Sequence, residues 1–107
     1  MASVFIRPAA RRDLVEHYVY FAENASLVTA DRFLARAEAT FNELTEHPAI
    51  GAPLTLRRSE LDGIRKWRVK DFEKFLIFYF PRPRGGVSVV RVLHAAQDWW
   101  GMLGLVE

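Results

Sequence analysis

The chain has 107 residues, half of them hydrophobic, which excludes a disordered chain and leaves room for a single domain, 1–107, around one core. It has no cysteine, so disulfides, thiolate zinc sites and thiol nucleophiles are excluded. The net charge of +2 is too small to demand a nucleic-acid partner, yet twelve of the fifteen bases are Arg, the residue suited to two-point contacts with carboxylate or phosphate.

Val4 to Ile6 read as a short strand, closed by Pro8, which a first helical turn tolerates because its missing N–H has no partner there. From Ala9 to Asn24, Leu14, Tyr18, Phe21 and Ala22 recur at helical spacing. Ser26 is a candidate N-cap for a second helix, whose stripe of Ala30, Phe33, Leu34, Ala37, Phe41 and Leu44 opposes Asp31, Arg32, Glu38, Asn42 and Glu46. His47-Pro48 ends it, and the very short link between the helices predicts an antiparallel hairpin.

Residues 48 to 63 form a connection with turns at Gly51 and Pro53. Three strand-length segments follow, Ile64 to Val69, Phe75 to Phe80 and Val87 to Leu93, joined by Lys70–Lys74 and Pro81–Gly86, both short enough for hairpins. Gln97 to Leu103 is expected to form a short helix or turn on the sheet, with Asp98 as a possible cap. The expected fold is α+β in the order β-α-α-β-β-β, a helical hairpin packed on one face of a mostly antiparallel sheet, with a short C-terminal helix. The first strand must join that sheet, since a lone strand leaves its backbone unpaired. The second face is expected to have less cover. No stretch is apolar for long enough to span a bilayer, and Met1 to Arg7 does not read as a signal peptide, so the expected compartment is the cytoplasm, with no membrane contact.

Several short patterns occur in order. Ala9 and Ala10 precede Asp13-Leu14; Phe33, Ala37, Phe41 and Leu44 lead to Pro48 and Gly51. Then come Leu61-Asp62-Gly63-Ile64-Arg65, Ile77-Phe78-Tyr79, Arg91-Val92-Leu93-His94 and Asp98. The ordered set, running from residue 4 to residue 98, resembles the ParE branch of the RelE/ParE toxin superfamily of type II toxin–antitoxin systems. The resemblance implies a toxin held inactive by a cognate antitoxin in a hetero-oligomer. It also implies a part in plasmid stabilisation and stress response. ParE members poison DNA gyrase; RelE members cut mRNA on the ribosome, and the shared fold does not choose between them.

Arg65, Arg68, Arg91, Trp99 and Trp100 are the candidates for antitoxin or target contact. Strict alternation puts Val87, Val89, Arg91 and Leu93 on one face of the last strand and Ser88, Val90, Val92 and His94 on the other, the helix side. Arg91 then lies on the less covered face, either paired with a local acid such as Asp98 or contacting a phosphate or an antitoxin carboxylate. Arg65 and Arg68 have opposite parity; Arg65 fits the family position and with Arg91 would make an anion site. A ribonuclease would use Arg65 and Arg91 on the phosphate and His94 as acid or base. No His or Tyr follows His94, however, and Gln97 stands where family members often carry a further base. His17 and His47 read as incidental, and no metal or cofactor is expected. Of the adjacent Trp99 and Trp100, one is expected to pack on the sheet and the other to be exposed or covered by antitoxin. The first reading is a gyrase-binding toxin without chemistry of its own. The alternatives are a ribosome-dependent mRNA endonuclease and an inactive relative that only binds its antitoxin.

Overall fold

The computed structural model describes residues 3–54 and 62–97. The elements run β1 (Val4–Ile6), α1 (Pro8–Asn24), α2 (Leu27–Glu46), β2 (Ala52–Pro53), β3 (Arg65–Val69), β4 (Phe72–Pro81) and β5 (Val87–His94). The fold is α+β as expected, with one more strand, the two-residue β2. The sheet order is β1-β5-β4-β3-β2, and among the described residues only the β1–β5 pair is parallel.

The helices begin and end as their sequences dictate. Pro8 opens α1. Ser26 caps α2, its Oγ accepting from the Thr29 N–H at 3.0 Å and satisfying one of the donors a helix start leaves orphaned. The apolar stripe of α2 buries Ala30, Phe33, Ala37, Phe41 and Leu44. Tyr18 Oη donates to Asp31 Oδ1 at 2.7 Å, linking the two helices at the surface.

The β3–β4 hairpin is tighter than the sequence suggests. Val69 is registered against Phe72, so the turn is only Lys70-Asp71, with Asp71 in the left-handed region at φ 67°. Thr40 Oγ1, buried in α2, accepts from the Lys70 N–H at 3.1 Å and fixes that turn to the helix layer. At the other hairpin Gly86 has φ 81°, and a Cβ there would run into the Ser3 backbone, whose carbonyl accepts from the Val87 N–H at 3.0 Å.

β4 is apolar on both faces. Phe75, Ile77 and Tyr79 point toward the helices and join Leu14, Phe33, Phe41 and Leu44 in the main core. Leu76, Phe78 and Phe80 point the other way, where Ile64, Phe78 and Leu93 are 0 % exposed and Leu54, Leu76, Phe80 and Val90 pack around them. The second face is the less covered of the two, as expected, but it is not bare. A strand reading Phe-Leu-Ile-Phe-Tyr-Phe has no polar alternate to offer water, so it buries both sides.

The expected alternation along β5 is corrected. Tyr79 is registered against Val89 but Phe78 against Arg91, so Val90 is an extra residue, a bulge. Val87 and Val89 face the helices together with Val92, while Leu93 belongs to the opposite face. The C-terminal helix expected from Gln97 to Leu103 lies, beyond Gln97, outside the described residues.

Candidate functional site: two latches and a basic strand

The first group sits where α1 runs past the end of β1. That strand covers the outer edge of β5 only from Val87 to Val89. Past it, the edge groups of Val92 are satisfied by helix side chains instead. The Val92 N–H donates to Asp13 Oδ2 at 3.0 Å, and His17, one turn further along α1, donates its Nε2–H to the Val92 carbonyl at 2.7 Å. Asp13, 4 % exposed, also accepts from Arg91 Nε at 2.7 Å and Nη2 at 2.8 Å, a two-point ion pair. That bonding to Asp13 raises the Arg91 pKa above its already high ordinary value, against the opposing effect of burial. Arg91 thus pairs with an acid 78 residues away; Asp98, the expected local partner, lies outside the described residues. His17 is no incidental residue: its ring also stands edge-on to Phe33 and Phe75.

The second group holds the turn after α2. Tyr79 Oη donates to the Pro48 carbonyl at 2.8 Å and accepts from the Gly51 N–H at 3.0 Å. Arg65 Nη1 donates to the carbonyls of Gly51, at 2.6 Å, and Ala49, at 3.1 Å. Burial pushes the Tyr79 hydroxyl above its ordinary pKa of 10, while the Gly51 N–H and the Arg65 charge pull it back. Gly51 is required by close approach: a Cβ there would lie 2.5 Å from Tyr79 Oη and 3.0 Å from the Lys66 carbonyl.

These two groups place the predicted arginines apart. Arg65 lies on β3, on the helix side opposite Tyr79, and is bound to the 49–51 turn; Arg91 is bound to α1 at the far side of β4. The structure does not bring them together as one anion site. His94 is on the helix side, its ring edge-on to Phe75 at 5.0 Å, and its Nδ1 accepts from the Ala96 N–H at 3.0 Å. Its own N–H donates to Gln97 Oε1 at 2.6 Å.

Arg68 differs. It is registered against Leu76 on the face away from the helices, with its guanidinium carbon 4.6 Å from the centre of the Trp67 ring. Its Nη1 is buried and has no hydrogen-bond partner among the described residues. In sequence, the β3–β5 region carries Arg65, Lys66, Lys70, Lys74, Arg82, Arg84 and Arg91 besides Arg68, against Asp62, Asp71 and Glu73. Trp99 and Trp100 lie outside the described residues. Among the described residues, no three His, Asp or Glu gather as metal ligands, and no helix is long and apolar enough to cross a membrane.

Asp13, Tyr79 and His17 carry structural roles that single residues in the sequence did not announce. Asp13 and Tyr79 stand in the ordered pattern, but only the fold shows that Asp13-Leu14 meets Arg91-Val92, and that Tyr79 meets Pro48 and Gly51.

The Asp13–Arg91 and Tyr79–Gly51 contacts thus latch a helical hairpin and the turn after it to a five-stranded sheet. Residues 4–99 match the family model of the ParE toxin of the parDE type II toxin–antitoxin system, and the chain belongs to that family. Among solved structures it is similar to one described as the chromosomal ParDE TA system from P. aeruginosa, with a TM-score of 0.69 and 15 % identity. The match covers 88 % of this chain and 96 % of that one, and at this identity it speaks for the fold. No curated protein matches the chain in sequence.

Proposed function

We propose that this chain is a binding-type toxin, neutralised by a cognate antitoxin and acting on DNA gyrase by contact rather than by cleaving RNA. One observation carries the reading. The residues a nuclease would aim at a phosphate are committed elsewhere: Arg65 to backbone carbonyls, Arg91 to the Asp13 carboxylate, and His94 Nδ1 to a backbone N–H. A fixed positive charge lowers a transition state only where it faces the developing charge, and both arginines face the protein.

Arg68 supports a partner on the basic side. A buried guanidinium N–H without an acceptor costs free energy, which an antitoxin carboxylate would recover on binding. The antitoxin segment would order as it binds, offering acids to Arg68 and its neighbours. The chain acts in the cytoplasm on this reading, as one part of a toxin–antitoxin hetero-oligomer.

Induced expression of the chain without its antitoxin tests the target. Filamentation and SOS induction, with loss of supercoiling by purified gyrase in its presence, are the expected results. Rapid mRNA cleavage on ribosomes, with supercoiling intact, would overturn the gyrase reading. A soluble product with no growth effect would identify an inert antitoxin-binding relative instead.

A further inference from the structure

Beside the first latch, α1 and the end of β5 enclose a cleft of about 450 Å³ lined by His17, Tyr20, Phe21, Phe75, His94 and Gln97. That volume falls within the range of small-molecule sites, about 300–1,000 Å³. Of its lining residues only His17 takes part in the first latch, through Nε2 alone, and the basic strand does not reach into the lining.

The polar groups of the cleft have fixed roles. A carbonyl can only accept, so the His17 Nε2 facing the Val92 oxygen carries the proton, and His17 Nδ1 is left as an acceptor. A backbone N–H can only donate, so the His94 Nδ1 facing Ala96 carries none, and His94 Nε2–H is left as a donor. Neither remaining ring nitrogen has a partner among the described residues. Both imidazoles stand edge-on to the same ring, Phe75, at 4.9 and 5.0 Å, so their spacing and tilt are held by the core. Phe21, 5.4 Å from Phe75, continues the aromatic wall, and Tyr20, 58 % exposed, stands at the rim.

An aromatic wall favours a flat ligand with a π-face. A donor and an acceptor at fixed positions favour a ring with complementary edge groups over a hydrocarbon ring, since an apolar ligand would leave both nitrogens dry and unpaired. From this we infer that the His17–His94 cleft binds a planar nitrogen heterocycle of the nucleobase class. The site stands independently of the toxin reading.

The purified full chain would be titrated with adenosine, guanosine, cytidine and uridine while the imidazole C–H resonances are followed. The chain has three His, and exposed His47 serves as the internal control. Saturable shifts of His17 and His94 with His47 still are expected for at least one nucleoside, with a dissociation constant of about 0.1–1 mM. His94→Phe keeps the ring and removes the donor; Tyr20→Ala alters only an exposed rim residue and leaves the core untouched. Each is expected to weaken binding about fivefold or more, as loss of a stacking or hydrogen-bonding partner does. The inference is overturned by an absence of saturable shifts, by equal shifts at His47, by unchanged affinity in the folded Tyr20→Ala chain, or by indole binding as tightly as every nucleoside.

Discussion

Replacing Asp13 by Ala isolates the contribution of the first latch. The carboxylate accepts three hydrogen bonds, two from Arg91 and one from the Val92 N–H. Its loss takes from Arg91 its two-point carboxylate partner, leaving the weaker charge of Glu16, and leaves a β5 edge N–H without an acceptor. Breaking a fully buried ion pair costs about 3–5 kcal/mol, and an orphaned backbone N–H about 1–3 kcal/mol. The Arg91 side chain is 19 % exposed and keeps some water, which lowers the first figure, so a combined loss of about 3–4 kcal/mol is expected. On a domain whose total stability is about 5–15 kcal/mol, that is a melting-point drop of roughly 12–25 °C. Urea unfolding followed by circular dichroism gives the free energy directly. The double variant Asp13→Leu, Arg91→Met removes both charges and should recover at least about 1 kcal/mol relative to the sum of the single changes. A loss below about 1 kcal/mol for Asp13→Ala, or strict additivity in the cycle, would refute the latch as a coupled unit.

Gly51→Ala should cost about 1–3 kcal/mol in the same assay, because the new methyl meets Tyr79 and the Lys66 carbonyl where the turn cannot recede. Stability should fall as pH rises above 10: the unfolded Tyr79 ionises near its ordinary value while the folded one, with its raised pKa, keeps its proton, so the unfolded state is favoured across that window. Tyr79→Phe should flatten this alkaline decline and lower stability at neutral pH by about 1–2 kcal/mol, through the loss of the Pro48 and Gly51 hydrogen bonds. Arg68→Ala should leave the melting point within a few degrees yet weaken antitoxin binding about tenfold or more by calorimetry, whereas Arg65→Ala should chiefly destabilise the fold; equal effects of the two on affinity would count against Arg68 as the partner contact.

Much of the frame was legible because its signals are local. The stripe from Ala30 to Leu44, the Ser26 cap and the Phe75–Phe80 run each act within one element. What the chain order conceals is long-range. The bulge at Val90 puts Val87 and Val89 on the helix side while Arg91 and Leu93 keep the face that simple alternation gives them, and nothing in Val-Ser-Val-Val-Arg announces it. Arg65 reads as a free cation until the turn at residues 49–51 folds back onto it. His17 reads as surface decoration because its partner, the Val92 carbonyl, is 75 residues distant. The two-residue β2 is too short to leave any periodicity. Long-range contact also links members of the ordered pattern: Asp13 with Arg91, and Gly51 with Tyr79, are pairs that the fold makes interdependent.

The parallel pairing of β1 with β5 ties the order of synthesis to the appearance of the folded protein. Arg7 reaches Ser88 across 81 residues, and Val4 finds its strand partner only at Val87. A growing polypeptide can wind both helices early, yet β1, at one edge of the sheet, must wait until β5 has left the ribosome tunnel. Such late, distant closure slows the final step and makes it all-or-none with respect to chain length. Fragments that stop short of Val87–His94 would therefore lack the finished sheet.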